Sequence, residues 1–171
     1  DNIPVLAIVQ DIILEYKSSY GTPQKFILDI PPELNITGAE SEVRSILHTL
    51  IINACESNSN RPIDEEDKTV TISAKKHGQQ ITIKVNDQGL GVDNRIINSL
   101  FQPHISTKAE GAGMGLYIAK RLIALHYHGN IQLKNQYQNN KQISGCVAQA
   151  DFTQLDVSQQ HTAIIKDNHE C

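Results

Sequence analysis

Apolar side chains recur at intervals of three and four residues along much of the chain, and this spacing predicts helices with one apolar face. In the first such stretch the apolar face is broad, and Gly21 and Pro23 break the pattern after it. A polar and acidic run, residues 57–67, follows the second stretch and indicates a surface loop. The predicted helices are residues 3–16, 40–57, 115–126 and, shorter, 93–101.

Apolar and polar residues alternate in other stretches, which predicts strands with one buried face. Gly78 lies between two of these runs, so we expect them to form a hairpin. Because the strands come as hairpins rather than alternating with helices, we predict an α+β fold, a two-layer sandwich with helices on one face of a mixed, mostly antiparallel sheet. The predicted strands are residues 25–30, 69–74, 80–85, 131–135 and 146–152.

Length and composition narrow the class of protein. The 171 residues suit one domain, and 39% apolar with 20% charged residues is ordinary for a globular protein. The net charge is −4 and no basic cluster exceeds Lys75–Lys76, which argues against nucleic-acid binding. No apolar run approaches the ~20 residues of a membrane-spanning helix, and the first residues do not have the basic-then-apolar pattern of a signal peptide. The spacing of Cys55, Cys146 and Cys171 indicates free thiols rather than a metal site.

Two polar positions carry candidate chemistry. Asn53 lies on an otherwise apolar helix face, where an amide needs an internal partner or a ligand such as a hard cation. Asp87 follows a strand and opens a loop with Gly89 and Gly91, which allow the backbone to approach a ligand. An ionised carboxylate accepts hydrogen bonds, so it suits an exocyclic amine such as that of adenine. Taken singly, a structural amide and an ordinary turn are the alternatives.

The run from Thr107 to Leu116 contains alternating glycines directly before a predicted helix. Backbone N–H groups at a glycine-rich helix start can bind an anion, and Lys108 adds a mobile positive charge that suits phosphate. The spacing is not that of a Walker loop, and the glycines do not follow a strand as a dinucleotide fingerprint requires. A flexible linker is the alternative for this run on its own.

In their order and spacing, these motifs resemble the catalytic domain of sensor histidine kinases. That domain belongs to the Bergerat-fold (GHKL) ATPases, which include gyrase, a family of heat-shock chaperones and the MutL mismatch-repair proteins. The resemblance covers roughly residues 25–153 and implies ATP and Mg²⁺ as cofactors. The matching segments are NACES at 53–57, DQGLG at 87–91, LFQPHISTK at 100–108, GAGMGLYIAKRL at 111–122 and HYHGNIQL at 126–133.

The resemblance implies a role for each matching residue. Asn53 would coordinate Mg²⁺ beside the phosphates. Asp87 would accept the adenine amine, with the base lying against Gly89 and Gly91. Phe101 would anchor a mobile lid. The lid itself would be residues 102–113, its Lys108 would reach the phosphates with Thr107 as a further candidate contact, and backbone donors would come from Gly113, Met114, Gly115 and Leu116.

The sequence departs from the family pattern at three positions. Thr49 stands where histidine kinases often have Asn and ATP-hydrolysing relatives have Glu, and a hydroxyl cannot act as a general base at neutral pH. This departure argues against gyrase-like hydrolysis. Glu56 stands where a Lys is frequent and is similar to nitrogen-sensor kinases; it would contact the nucleotide through Mg²⁺ or water, or face solvent. His104 replaces an aromatic residue and is interpreted as a packing or lid contact.

The resemblance implies transfer of the γ-phosphoryl group to a histidine on a two-helix dimerisation element. The first histidine here, His48, lies inside the nucleotide-site helix, so we expect the acceptor outside this chain, which we interpret as an excised fragment. Residues 1–22 are interpreted as the end of a dimerisation helix and linker, 23–155 as the ATP-binding catalytic domain, and 156–171 as a polar tail. We therefore expect the apolar face of the first helix to be exposed or to pair with another copy.

The implied partners are the dimerisation and histidine-phosphotransfer domain of the same kinase and, indirectly, a response regulator of a bacterial two-component system. A homodimer is implied for the full-length protein. We expect a cytoplasmic location without direct membrane contact by this segment, whether or not the full-length kinase is anchored in the inner membrane. The isolated domain should bind ATP with little turnover.

Three other functions are weighed against a kinase. A non-catalytic nucleotide sensor would bind ATP or ADP and signal by conformational change, and Thr49 and Glu56 permit it. A serine kinase of the anti-sigma type usually has Glu at the position of Thr49 and is disfavoured. A purely structural interaction module leaves the ordered motifs unexplained.

Overall fold

The computed structural model describes residues 1–20, 24–61, 68–103, 114–139 and 141–155. The helices in these ranges are α1 (Val5–Tyr20), α2 (Glu40–Ser59) and α3 (Gly115–Tyr127), with a 3-10 helix at Asn98–Phe101. The strands are β1 (Asn2–Pro4), β2 (Lys25–Asp29), β3 (Asn35–Thr37), β4 (Thr69–His77), β5 (Gln80–Asn86), β6 (Asn130–Tyr137) and β7 (Ile143–Thr153). Of the described helices, none combines the length and apolar character needed to span a membrane.

The main sheet has five strands in the order β2, β4, β5, β7, β6. The β2–β4 pair is parallel and the other pairs are antiparallel, while β1 and β3 form a separate antiparallel pair. In β4, Val70, Ile72 and Ala74 are buried and the residues between them are partly exposed. Because neighbouring side chains point to opposite faces, one face of the sheet is apolar and receives the helices. The predicted α+β sandwich with a mostly antiparallel sheet is confirmed.

Helix α2 forms because buried residues recur every three or four positions, from Val43 to Ala54. The negative charges of Glu40 and Glu42 in its first turn also stabilise the helix, because they lie at the positive end of the helix dipole. It ends at Ser59, two residues later than predicted. The sequence interpretation placed residue 58 in a surface loop, but Asn58 is fully buried. Asn58 lies four residues after Ala54, so it continues the buried stripe, and its amide finds internal partners.

The expectation that the apolar face of the first helix is exposed or pairs with another copy is wrong. The buried side chains of α1 belong to the same hydrophobic core as α2 and the sheet: Val5, Ile8, Val9, Ile12, Ile13 and Tyr16. On the outer side, Arg44 of α2 bonds Asp11 at 3.1 Å and Glu15 at 3.3 Å. The partner of this apolar face is thus α2 of the same chain. The identification of residues 1–22 with a dimerisation helix and the other domain bounds stay predictions.

The predicted helix over residues 93–101 is only partly present. Residues 94–97 form turns and only Asn98–Phe101 is helical, as a 3-10 helix. Most backbone bonds here span three residues, as in Ile96 N to Asp93 O at 3.0 Å and Gln102 N to Ser99 O at 3.0 Å, while the Leu100 N–H is shared between the carbonyls three and four residues before it. The Asp93 carboxylate also accepts from the Arg95 backbone N–H at 2.9 Å, a local bond that competes with regular helix.

Candidate functional site

Asp87 follows the end of β5 and is 7% exposed. Its Oδ1 accepts three hydrogen bonds, from the Gly89 N–H at 2.9 Å, the Cys146 N–H at 3.1 Å and the Ser57 hydroxyl at 3.2 Å. Its Oδ2 accepts none from the described residues. Because no fully buried side-chain oxygen among those residues lacks a partner, Oδ2 must reach solvent. One carboxylate oxygen is therefore anchored and the other is available to a donor from a ligand.

The Asp87 side chain lies in a largely buried environment. Burial raises the pKa of Asp87 above its usual value, and the bonds from Gly89, Cys146 and Ser57 offset part of that rise. Burial also raises the pKa of the Cys55 thiol to about 12 and that of Cys146 to about 11, and Asp87 adds to both shifts by like-charge repulsion. Both thiols are consequently protonated at neutral pH, and a hydrogen bond to Oδ2 would form in a low-dielectric site.

Glycines shape the loop after Asp87 because larger residues would collide. A Cβ at Gly89 would strike the side chain of Ser57. Gly91 has a φ of 75°, in the left-handed region, and a Cβ there would strike Ile143. The loop can therefore lie against α2 and β7 only with glycine at these positions. The close approach of a ligand to the same glycines stays a prediction.

One stripe of α2 connects the two ends of the candidate site. Ser57 bonds Asp87 at one end, and at the other the Thr49 methyl lies 3.2 Å from the point where a Cβ on Gly115 would be. Residues 49, 53 and 57 follow each other at four-residue intervals, so this stripe spans about 12 Å. Asn53 lies midway, is half-buried, and its side chain makes no hydrogen bond to the described residues. An extended ligand reaching from Asp87 to α3 would pass Asn53.

The start of α3 provides donors for an anion. Met114 precedes the helix without a side-chain capping bond, and the first turn contains no acidic residue. The first N–H groups of a helix lack intrahelical partners, and their dipole favours negative charge. Gly115 and Leu116, predicted to be near phosphates, are both half-buried at this end.

Of the remaining predicted residues, the structure describes Phe101 and Glu56. Phe101 is half-buried at the end of the 3-10 helix, and the Lys120 ammonium of α3 lies 4.4 Å from its ring centroid. Glu56 is half-buried on α2, one turn from Asn53. The predicted lid contacts Thr107, Lys108 and Gly113, together with His104, lie outside the described residues.

Sequence reasoning missed the residues that hold the loop after Asp87. Asn58 and Asn135 bond its backbone, and Gly145 of β7 packs on the backbone of Asp87. A polar residue on the buried stripe of α2 was a usable signal for Asn58. Nothing in the local pattern of β6 indicated Asn135, since its partners lie 43 residues away in sequence.

Comparison with known proteins identifies the family and the fold of the chain. Residues 38–153 match the profile of the family described as histidine kinase-, DNA gyrase B- and HSP90-like ATPase. The C4-dicarboxylate transport sensor protein DctS of Rhodobacter capsulatus is 35% identical over 102 residues, 58% of this chain and 15% of DctS. The histidine-protein kinase AtoS of Escherichia coli is 30% identical over 130 residues, 74% of this chain and 20% of AtoS. The chain therefore spans a small part of these relatives.

Among solved structures, the catalytic domain of histidine kinase ThkA superposes with a TM-score of 0.76 at 17% identity, over 90% of this chain and 95% of that domain. ThkA in complex with the response regulator TrrA gives 0.72 at 15% identity, over 91% of this chain and 42% of ThkA. At these identities the structures support the fold alone. With the family match over residues 38–153, the chain belongs to the histidine kinase-, DNA gyrase B- and HSP90-like ATPases, as an ATP-binding catalytic domain of the sensor histidine kinase type.

Proposed function

We propose that this domain binds Mg-ATP and donates the γ-phosphoryl group to a histidine on the dimerisation domain of its kinase. The observation that carries the proposal is the difference between the two carboxylate oxygens of Asp87. Its Oδ1 is held by three protein donors, and its Oδ2 is open beside a glycine loop. An open acceptor in a site of low dielectric suits the exocyclic amine of adenine.

The residues present fit a hard cation. The Asn53 amide oxygen has no hydrogen bond to the described residues, and Mg²⁺ prefers oxygen ligands while keeping several waters. When bound, Mg²⁺ would neutralise charge on the phosphates. We propose Asn53 as its protein ligand.

The chain's own residues would bind and orient the nucleotide. Asp87 would accept from the base, while the first N–H groups of α3 from Gly115 would hold negative charge on the phosphates. Lys108 and the segment between Phe101 and Met114 would add contacts to the phosphates. Phosphoryl transfer depends chiefly on positioning and charge stabilisation, so no general base at Thr49 is required when a histidine is the acceptor.

The proposed partners follow from the same role. The acceptor would be the histidine-phosphotransfer domain of the kinase, in a homodimer, and a response regulator would receive the group afterwards. ThkA in complex with TrrA gives a precedent for such a pair. A cytoplasmic location fits this chemistry, because ATP is available there.

Titration calorimetry with Mg-ATP and Mg-ADP tests the nucleotide site. Asp87→Asn replaces the open acceptor by a donor, so we expect ATP binding at least about tenfold weaker, or ~1.4 kcal/mol. Asp93→Asn is the matched control, because Asp93 is exposed and bonds Arg95 outside the site. Equal affinities of wild type and Asp87→Asn, or no binding by wild type at millimolar nucleotide, would refute the proposal.

Transfer of labelled γ-phosphate to an added acceptor domain then separates a kinase from a nucleotide sensor. We expect label on the acceptor histidine with wild type, and none when Asn53→Ala removes the proposed metal ligand. Nucleotide binding without transfer to any acceptor domain of the AtoS or DctS type would favour the non-catalytic sensor.

A further inference from the structure

We propose that Asn58 and Asn135 are positioning residues that hold the loop after Asp87 in the shape that selects adenine. The two side chains bond the loop backbone at opposite ends, Asn58 at Gln88 and Asn135 at Val92. We name this pair the amide clamp. The inference rests on the proposed binding of adenine at Asp87, and it adds to that site two residues that do not touch the base.

Both the oxygen and the nitrogen of the Asn58 side-chain amide form hydrogen bonds inside the protein. Its Oδ1 accepts from the Gln88 backbone N–H at 2.7 Å, and its Nδ2 donates to Gln24 Oε1 at 3.1 Å and to the Thr69 carbonyl at 2.9 Å. The residue is fully buried, so each of these bonds is shielded from water. Asn58 thereby connects α2, the start of β4 and the residue after Asp87.

The side chain and the backbone of Gln88 form further hydrogen bonds that hold this end of the loop in place. Its Oε1 accepts from the Thr69 N–H at 3.0 Å, and its carbonyl accepts from Arg61 at 2.6 Å. Gln24 in turn donates to the Cys55 carbonyl at 3.3 Å, so the network closes on α2. The position of Gln88 is therefore determined by its bonds with Asn58, Arg61 and Thr69.

Asn135 bonds the other end of the loop. Its side-chain amide pairs with both the N–H and the carbonyl of Val92, as the backbone of a neighbouring strand would. Its Oδ1 accepts from the Val92 N–H at 2.7 Å, and its Nδ2 donates to the Val92 carbonyl at 2.5 Å and to Asn94 Oδ1 at 3.2 Å. A Cβ on Gly91 would lie 2.7 Å from the same Oδ1, so the contact also needs glycine at position 91. Asn135 thus attaches the end of the loop to β6.

The clamp matters because the loop between its two ends is intrinsically loose. Glycine has the largest backbone freedom of any residue, and the loop has it at positions 89 and 91. An unrestrained loop would have to be ordered when a base binds, which weakens binding. The Gly89 N–H also holds Asp87 Oδ1, so a displaced loop would release the carboxylate from its fixed orientation.

Base selectivity distinguishes positioning from general stability. A variant that is merely less folded loses affinity for all nucleotides by the same factor, whereas a misplaced carboxylate loses specifically the contribution of the adenine amine. The probes are Mg-ATP and Mg-ITP, because inosine has a carbonyl where adenine has the amine. The measured quantity is the ratio of the ITP to the ATP dissociation constant.

The variants are Asn58→Ala and Asn135→Ala, with Asn60→Ala and Asn130→Ala as matched controls. The control asparagines lie on the exposed surface near the same elements, and their side chains make no hydrogen bond to the described residues. Thermal melting establishes that each variant is folded at the titration temperature. Asn135→Ala carries the test if the buried Asn58→Ala does not fold, because Asn135 is only half-buried.

We expect each clamp variant to lose about tenfold in ATP affinity and its ITP/ATP ratio to fall at least about threefold, with the controls unchanged. Asp87→Asn should abolish the selectivity altogether. If Asp87→Asn loses selectivity while the clamp variants keep the wild-type ratio, the clamp is refuted and adenine binding at Asp87 stands. If wild type itself does not discriminate ATP from ITP, the adenine assignment fails and the clamp with it.

Discussion

The Asp87 carboxylate combines a structural role with the proposed recognition role in one side chain. Oδ1 joins α2, the loop and β7 through Ser57, Gly89 and Cys146, and Oδ2 is left for a ligand. Such a division has an energetic cost, because a charge is buried without a cationic partner among its hydrogen-bond donors. Raising the pKa of Asp87 is the measurable sign of that cost.

The energetic cost of burying the Asp87 charge predicts how the stability of the fold depends on pH. Because the folded-state pKa of Asp87 is raised, folding favours the protonated form: this contribution to stability is fully present below the unfolded pKa and is lost as the pH rises through the folded pKa. Asp87→Asn removes the titration. We therefore expect the variant to be more stable than wild type at pH 7, with the difference shrinking as the pH falls to about 4, near the unfolded value.

Urea unfolding of both proteins between pH 4 and 7 measures this difference. The Asp93→Asn variant controls for loss of one carboxylate, since hydrogen bonds from Arg95 lower the pKa of Asp93, which shifts in the opposite direction. A difference between wild type and Asp87→Asn that stays constant over this range would contradict the argument.

At the scale of elements, the site depends on how closely β7 approaches the end of β5. Gly145 in β7 has a φ of 144°, and a Cβ there would strike the backbone carbonyl of Asp87. The Asp87 N–H donates to the Cys146 carbonyl at 3.0 Å, while the Cys146 N–H donates to the Asp87 carboxylate. The position of the Asp87 carboxylate therefore depends on both β5 and β7.

Gly145→Ala should separate the strands at this point. We expect a loss of about 2–4 kcal/mol in unfolding free energy from backbone strain and overpacking, together with weaker ATP binding. Gly78→Ala is the matched control: its φ is 60°, but a Cβ there meets nothing within 4 Å, so strain alone costs about 1 kcal/mol. Denaturant titration and calorimetry measure both effects. Equal losses in the two variants would show that the approach of β7 is not limiting.

At the scale of the whole molecule, α1 is part of the core that supports the proposed nucleotide site. Its buried face packs on α2, and α2 carries Thr49, Asn53 and Ser57 on another face. The β1–β3 pair attaches the start of α1 to the segment that leads into α2. Loss of α1 would therefore expose the back of the helix that lines the site.

Ile12→Ala tests this arrangement. Ile12 is fully buried, so we expect a loss of about 2–5 kcal/mol in unfolding free energy. Leu14→Ala, two residues later on the same helix, should change stability by no more than about 0.5 kcal/mol, because Leu14 is 66% exposed. Urea unfolding compares the two. A similar small effect of both substitutions would indicate that α1 is a loosely attached segment.

The sequence by itself determined the long helices, most strands of the main sheet and the chemical types at the candidate site. Spacing of apolar residues is a local property, so it located α2, α3 and the β4–β5 hairpin to within a few residues. The order of Asn53, Asp87 and the glycine runs resembles the pattern of the family, and the profile match over residues 38–153 confirms that family.

Only the tertiary structure decided which segments meet. A broad apolar face signals that a side of α1 will be buried, but not whether the partner is α2 or another copy. The same holds for Asn58 and Asn135: an amide can bond any backbone within reach, and their partners are 30 and 43 residues away. Such contacts form once the chain has folded, so the local pattern can indicate that an amide such as that of Asn58 is buried but not which backbone it bonds.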